Sequence, residues 1–302
     1  MNDNTPAGGI GEAGDGPERG HVIVGVDGSP VSDLATDRAA DAAARRHVPL
    51  EVLHVVEWSP TREEDHQAAQ LREVAAALVD RAAERARLRH PDLRIVTTVV
   101  LAHTVAALEE AGDRAALLVL GSRGLGGFAG LLMGSVSLSV AAGVRCPILI
   151  VRARQTSAPE DEPGSVVVGV SQFDCSLAIE AAFAEAQARG VPLRAVYARS
   201  HPSSPAAPYA APLWAADNGY KAAEADLAAA LAPFLDRYPH VSLTEQVVRD
   251  TPAHALVGTS DEADLVVLAA HRRHARFGAN LGHVTHTLLH HCKAPVLLIP
   301  VD

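Results

Sequence analysis

The chain repeats itself, and that repeat constrains its fold more than any other feature. Val22-Ile-Val-Gly-Val26 returns as Val166-Val-Val-Gly-Val170, an offset of 144, and Val48-Pro49-Leu50 returns as Val191-Pro192-Leu193, an offset of 143. Farther along, Leu117–Leu120 matches Leu265–Leu268 and Pro147–Val151 matches Pro295–Ile299, both offset by 148. The fold is therefore one that the chain makes twice. Its 302 residues agree, since a domain takes about 150. The polar, acidic, Pro-containing stretch 155–164 separates the copies as a linker. The expected layout is a disordered tail over 1–20, a first domain over 21–154, and a second domain over 165–302.

Within each copy, short runs rich in Val, Ile and Leu alternate with longer helical stretches, the pattern of a parallel sheet covered by helices. Strands are expected near 22–26, 50–56, 94–100, 116–121 and 147–152, and in the second copy near 166–170, 193–198, 241–248, 264–269 and 295–299. Helices are expected at 31–46, 63–89, 103–112 and 134–142, then at 175–189, 217–237, 252–261 and 282–291. The second helix carries Leu71, Val74, Leu78, Ala82 and Leu88, read as its core-facing stripe. The fold class is thus α/β: two tandem Rossmann-like domains, each a five-stranded parallel sheet with helices on both faces. Ligands are expected at the carboxyl ends of the strands.

Composition removes several functions. Lys+Arg 26 against Asp+Glu 36 leaves a net charge of −10, without the basic surplus of a dedicated nucleic-acid binder. Cys146, Cys175 and Cys292 form no CxxC and cannot all pair, which fits a reducing cytoplasm. The first twenty residues lack the basic start and apolar run of a secretory signal. Gly124–Val144 is uncharged over 21 residues, but six are Gly and three Ser, a poor membrane helix. No membrane association is expected.

Two strand ends carry unusual residues. Asp27-Gly28-Ser29 follows the first strand; its carboxylate could accept from a ribose hydroxyl or an amino group, or the trio could simply cap a helix. The fourth strand runs into Gly121-Ser122-Arg123-Gly124, and nine residues later Gly134-Ser135 opens a helix. Glycines admit a phosphate to the backbone, a helix N-terminus presents free N–H groups, and Arg123 and Ser135 add a guanidinium and a hydroxyl. These residues suit an anionic ligand or, equally, a flexible structural loop. No Lys follows the glycines and no GxGxxG follows the first strand, so the P-loop and dinucleotide motifs are absent.

Val119-Leu-Gly-Ser-Arg-Gly124, Gly134-Ser135-Val136 and Arg145-Cys-Pro-Ile-Leu-Ile-Val151 together resemble the universal stress protein family, whose ATP-binding members carry G-2x-G-9x-G-(S/T). Gly121, Gly124, Gly134 and Ser135 occupy the four motif positions, and Val24-Gly-Val-Asp-Gly-Ser29 resembles the start of the family's domain. The resemblance implies that Asp27 contacts adenine or ribose, that Val55 lines the adenine pocket, and that Gly121, Arg123, Gly124, Gly134, Ser135 and Val136 surround ribose and phosphates. It implies ATP with Mg as ligand, a nucleotide-dependent stress-response module, and hydrolysis that is slow at most, with no catalytic residue assigned. A scaffold that binds no nucleotide and a slow adenine-nucleotide hydrolase are the alternatives. In this family domains pair through the fifth strand, so the two copies are expected to form an intramolecular pseudo-dimer, with Pro147–Val151 antiparallel to Pro295–Ile299; a homodimer of such chains is a further option, and the protein partner is unknown.

The second copy departs from the motif. Ala269, Arg272, Gly282 and His283 stand where Gly121, Gly124, Gly134 and Ser135 stand in the first, and Ser171 replaces Asp27. This site is expected not to bind ATP. His271-Arg-Arg-His-Ala-Arg276 is a basic loop in which Arg272, Arg273 and Arg276 could hold an anion, and His283, His286 and His290 share a helix face. No acidic ligand is interleaved with these histidines, so an interface or a solvated face is expected in preference to a metal site. The Pro-rich stretch His201–Trp214 reads as a long connection.

Overall fold

Strands made of successive apolar residues, such as Val22-Ile-Val24 and Leu117-Leu-Val-Leu120, need cover on both faces. The fold supplies it with one central sheet and two helical layers. The computed structural model describes residues 20–57, 65–124, 133–152, 164–199, 213–271, 273–275 and 278–301; side chains of 65–68, 213–218 and 273–280 are not described. The tail before Gly20, the linker before Gly164, the stretch 201–212, Arg272 and Arg276 lie outside the described residues.

The first half runs β1 (His21–Gly25), α1 (Pro30–Arg46), β2 (Leu50–Glu57), α2 (Asp65–Arg89), β3 (Ile95–Ala102), α3 (Thr104–Gly112), β4 (Ala115–Gly121), α4 (Ser135–Gly143) and β5 (Ile148–Val151). The second half repeats the order: β6 (Ser165–Val170), α5 (Ser176–Arg189), β7 (Leu193–Ala198), α6 (Leu213–Leu235), β8 (Leu243–Val248), α7 (Pro252–Thr259) and β9 (Ala263–His271). A short hairpin, β10 (Arg273–Ala275) with β11 (Gly278–Asn280), precedes α8 (His283–His291) and β12 (Val296–Val301). The sequence pattern did not anticipate this hairpin, whose strands are three residues each and too short to show a period.

Each half has parallel strands in the order 3-2-1-4-5, and the two halves join into one ten-stranded sheet, β3-β2-β1-β4-β5-β12-β9-β6-β7-β8. The joint is antiparallel, with Val296, Leu297 and Leu298 opposite Ile150, Leu149 and Ile148. Two edges that would otherwise offer unpaired N–H and C=O groups are closed by each other. One core lies on the α1, α2, α5 and α6 side of the sheet, containing Val22, Val24, Leu117, Leu149, Leu297 and Phe183. The other, with Ile23, Leu118, Ile150 and Leu298, lies under α3, α4, α7 and α8. The described part of the uncharged run Gly124–Val144 includes the nine residues of α4, and among the described residues no helix is long and apolar enough to cross a membrane.

The stripe expected on α2 is turned. Leu71, Val74 and Leu88 are 40%, 68% and 78% exposed, while Ala75, Val79, Ala82, Ala83 and Ala86 are buried and Leu78 is half-buried. Close packing of this helix over β2 and β3 favours small side chains beneath it, so four alanines and Val79 face inward, Leu78 packs against the core, and Leu71, Val74 and Leu88 lie on the outer surface.

Charge pairs fasten α2 onto α1. Arg89 donates to Asp41 Oδ1 at 2.5 Å and Oδ2 at 2.9 Å, with His90 at 2.8 Å from Oδ1. Burial pushes the Asp41 carboxyl up, but the Arg89 and His90 contacts outweigh it and hold it below its ordinary value. A depressed carboxylate stabilises the fold above its unfolded value, and that contribution is lost as pH falls through the folded value. The melting temperature is therefore expected to fall with acidification below the ordinary aspartate range, and Asp41→Asn to flatten that limb; a melting series against pH in both proteins checks it.

Candidate functional site

At the point where strand order reverses, between β1 and β4, neighbouring crossovers leave on opposite faces of the sheet and open a crevice at the strands' carboxyl ends. A cavity of about 470 Å³ occupies it, within the usual range for small-molecule sites of roughly 300–1,000 Å³. Asp27 comes from the end of β1, Val55 from β2, and Gly121, Arg123 and Gly124 from the end of β4. Gly134, Ser135 and Val136 come from the start of α4. The structure thus brings all eight sequence-selected residues to one cavity.

Their local geometry follows from their types. Asp27 Oδ1 accepts the Ser29 N–H at 3.0 Å, closing a turn that leads into α1, where Ser29 Oγ caps the helix by accepting from Ser32 N–H at 3.2 Å. The capping role and the carboxylate at the cavity are therefore compatible. A Cβ placed on Gly124 would lie 2.2 Å from Asp27 Oδ2, so any side chain there would have to displace the carboxylate or the loop. Gly134 is the N-cap of α4 and no side chain caps that helix, which leaves first-turn N–H groups directed at the cavity. Gly134 N–H itself is held by the Ser122 carbonyl at 2.7 Å, and Ser137 Oγ donates to the Gly121 carbonyl at 2.6 Å.

Sequence reasoning missed several wall residues. His54 lies beside Val55 with Nδ1 2.6 Å from the Val26 carbonyl, and Thr104, Leu108 and Met133 complete the apolar side. The signal for Thr104 was its place just beyond β3, also a carboxyl strand end; its N–H and hydroxyl donate to Glu57 at 2.8 and 2.5 Å, which holds that carboxyl below its ordinary value.

The equivalent end of the second half is built differently. Phe173 and His271, aligned with Ser29 and Arg123, meet edge to face with ring centroids 5.8 Å apart and planes at 71°. Gly282 again caps a helix, α8, but His283 opens it. On that helix the His286 and His290 rings lie 4.5 Å apart. Burial, with His286, His291 and Arg152 nearby, lowers the His290 pKa. Among the described residues no group of three or more His, Cys, Asp or Glu side chains is arranged to hold a metal ion.

Fold and site together define a doubled α/β protein with a cavity of small-molecule size at the switch point of the first sheet half. The family model described as the universal stress protein family matches residues 18–152 and 164–300. The chain belongs to the universal stress protein family, with two such domains in tandem. A universal stress protein of Mycobacterium tuberculosis is 35% identical over 296 residues, covering 93% of this chain and 98% of its own. A second from that species is 33% identical over 286 residues, covering 92% and 95%. The crystal structure of a universal stress protein from Archaeoglobus fulgidus superposes with a TM-score of 0.66 at 16% identity, over 92% of this chain and 98% of that one, a likeness of fold.

Proposed function

We propose that the first half binds ATP as its magnesium complex and that occupancy sets the conformation or partner choice of a cytoplasmic stress-response module. The observation that carries this reading is the convergence of the G-2x-G-9x-G-S residues Gly121, Gly124, Gly134 and Ser135 with Asp27, Val55, Arg123 and Val136 on one cavity. The backbone at Gly124, which has no room for a side chain, and the uncapped start of α4 fit a phosphate chain. Val55, Leu108 and Met133 offer an apolar wall for a base. Cys146, Cys175 and Cys292 are buried and far apart in sequence, which agrees with a reducing compartment.

Hydrolysis is expected to be slow. Among the described lining residues Asp27 is the sole carboxylate, and it already accepts the Ser29 N–H, so no base stands ready for an attacking water. The second half is proposed to have lost the site: Ser171 supplies no carboxylate, and the Phe173–His271 ring pair stands in place of a serine and an arginine.

Calorimetric titration of magnesium-ATP into nucleotide-stripped full-length protein tests this reading. One site per chain is the expected stoichiometry. Two sites would overturn the loss of the second pocket, and none would make the protein an interaction scaffold.

A further inference from the structure

The β5–β12 joint places α1 and α5 side by side on one face of the sheet, and their facing side chains do not balance in charge. The two helices are equivalent at an offset of 143: buried Ala35, Thr36, Ala39, Ala40, Ala42 and Ala43 of α1 repeat as Ala178, Ile179, Ala182, Phe183, Glu185 and Ala186 of α5. At that offset the stripe Arg38, Ala42, Arg45 and Arg46 corresponds to Ala181, Glu185, Ala188 and Arg189. Spacings of four, seven and eight put each set on one helical face.

The seam therefore gathers four guanidinium groups, with Glu185 the carboxylate that the two helices share across it. Glu185 is buried and takes the two pseudo-equivalent arginines at once: Arg46 from across the seam, and Arg189 from its own helix through Nε at 2.9 Å and Nη2 at 2.8 Å. Its counterpart is Ala42, a methyl group, so α1 offers no carboxylate at the equivalent position. Asp41, hydrogen-bonded to Arg89 and His90, favours charge on both Arg38 and Arg45, as Asp264 at the start of β9 does on Arg38 and Glu185 on Arg45. Among the described residues Arg38 and Arg45 make no ion pair, and Arg45 Nε is buried with no hydrogen-bond partner. Burial, and next the charge of Arg189, lower the pKa of both. A buried guanidinium donor without an acceptor is costly. On a chain of net charge −10 this seam is a local positive field.

We propose that the α1–α5 seam is a second anion site, taking one tetrahedral oxyanion of the phosphate class, either free phosphate or a phosphomonoester, between Arg38, Arg45 and Arg189. The anion supplies the charge that Ala42 does not, and it clamps the first half to the second. The site lies on the opposite face of the sheet from the α3 and α4 wall of the nucleotide cavity, and its existence does not depend on ATP binding there.

The test titrates inorganic phosphate into full-length Gly124→Arg protein by calorimetry at constant ionic strength, which removes the phosphate loop as a competing site. One phosphate per chain is expected, weakened at least tenfold in the added double variant Arg38→Gln/Arg45→Gln and unchanged by Arg72→Gln on the exposed face of α2. Where the double variant fails to fold, Arg45→Lys keeps the charge and most of the stem while losing Nε, and is expected to bind several-fold more weakly. Glycerol phosphate as competitor separates the sources: displacement assigns phosphomonoesters to the site, and no displacement assigns free phosphate. Phosphate bound equally well by the double variant, or not bound at all by Gly124→Arg, overturns the proposal.

Discussion

Gly124→Arg is expected to take nucleotide stoichiometry from one per chain to zero while leaving the melting temperature of the ligand-free protein within a few degrees of wild type. The Cβ alone would stand 2.2 Å from Asp27 Oδ2, so even Gly124→Ala must move either the carboxylate or the loop, and an expected loss of tenfold or more corresponds to about 1.4 kcal/mol. Arginine in addition fills the volume a phosphate would need. Gly124 itself belongs to neither core, so the fold is expected to tolerate the change. Calorimetry with magnesium-ATP reads the first effect and thermal melting the second; nucleotide retained at one per chain in the arginine variant would place the ligand elsewhere.

Arg114→Met is expected to cost about 3–5 kcal/mol, the usual penalty for leaving a buried carboxylate without its partner. Glu51 is 1% exposed in β2, where Arg114 approaches both of its oxygens, Nη2 at 2.9 Å from Oε1, and His21 Nδ1 is 3.9 Å from Oε2. Removing the guanidinium strands that charge inside the sheet. The pair sits at the opening turns of β1, β2 and β4, away from the cavity at their carboxyl ends. Denaturant unfolding should therefore show the large loss while nucleotide stoichiometry, measured well below the melting transition, stays at one. A loss under about 1 kcal/mol, the range of exposed ion pairs, would mean that water reaches Glu51.

How much was legible in the sequence depended on how local the cause was. Runs such as Leu117–Leu120 and Val166–Val170 place strands because apolar residues at every position demand two covered faces. The boundary of α1 was written in Ser29-Pro30, a side-chain cap followed by a residue already set for the first helical turn. The motif residues were legible as a spacing, and Asp27 as a carboxylate at a strand end. His54 and Thr104 were not, because a lone His or Thr at a strand end has no pattern of its own; only the curvature of the sheet brings them to the same crevice. The face of α2 was misjudged because Leu71 and Val74 outweigh alanines by hydrophobicity, while the face packed on the sheet is made mostly of alanines, with Val79.

The α1–α5 seam belongs to a third category. Arg38, Arg45 and Arg46 look like an ordinary basic helix face, and Glu185–Arg189 like a routine i,i+4 pair. Their imbalance exists only once β5 and β12 pair and set the two helices side by side.

The sequence by itself determined that this protein would be built twice from one α/β pattern and that the first copy alone keeps the glycine and serine spacing, because strand periodicity, helix caps and motif spacing are interactions among near neighbours. The pairing of Pro147–Val151 with Pro295–Ile299, expected from the family resemblance, is what joins the copies into a ten-stranded sheet, while only the tertiary structure decided which face of α2 is inside and which arginines make no ion pair among the described residues. Those outcomes depend on close packing and charge balance between segments tens to more than a hundred residues apart, and both are settled in space.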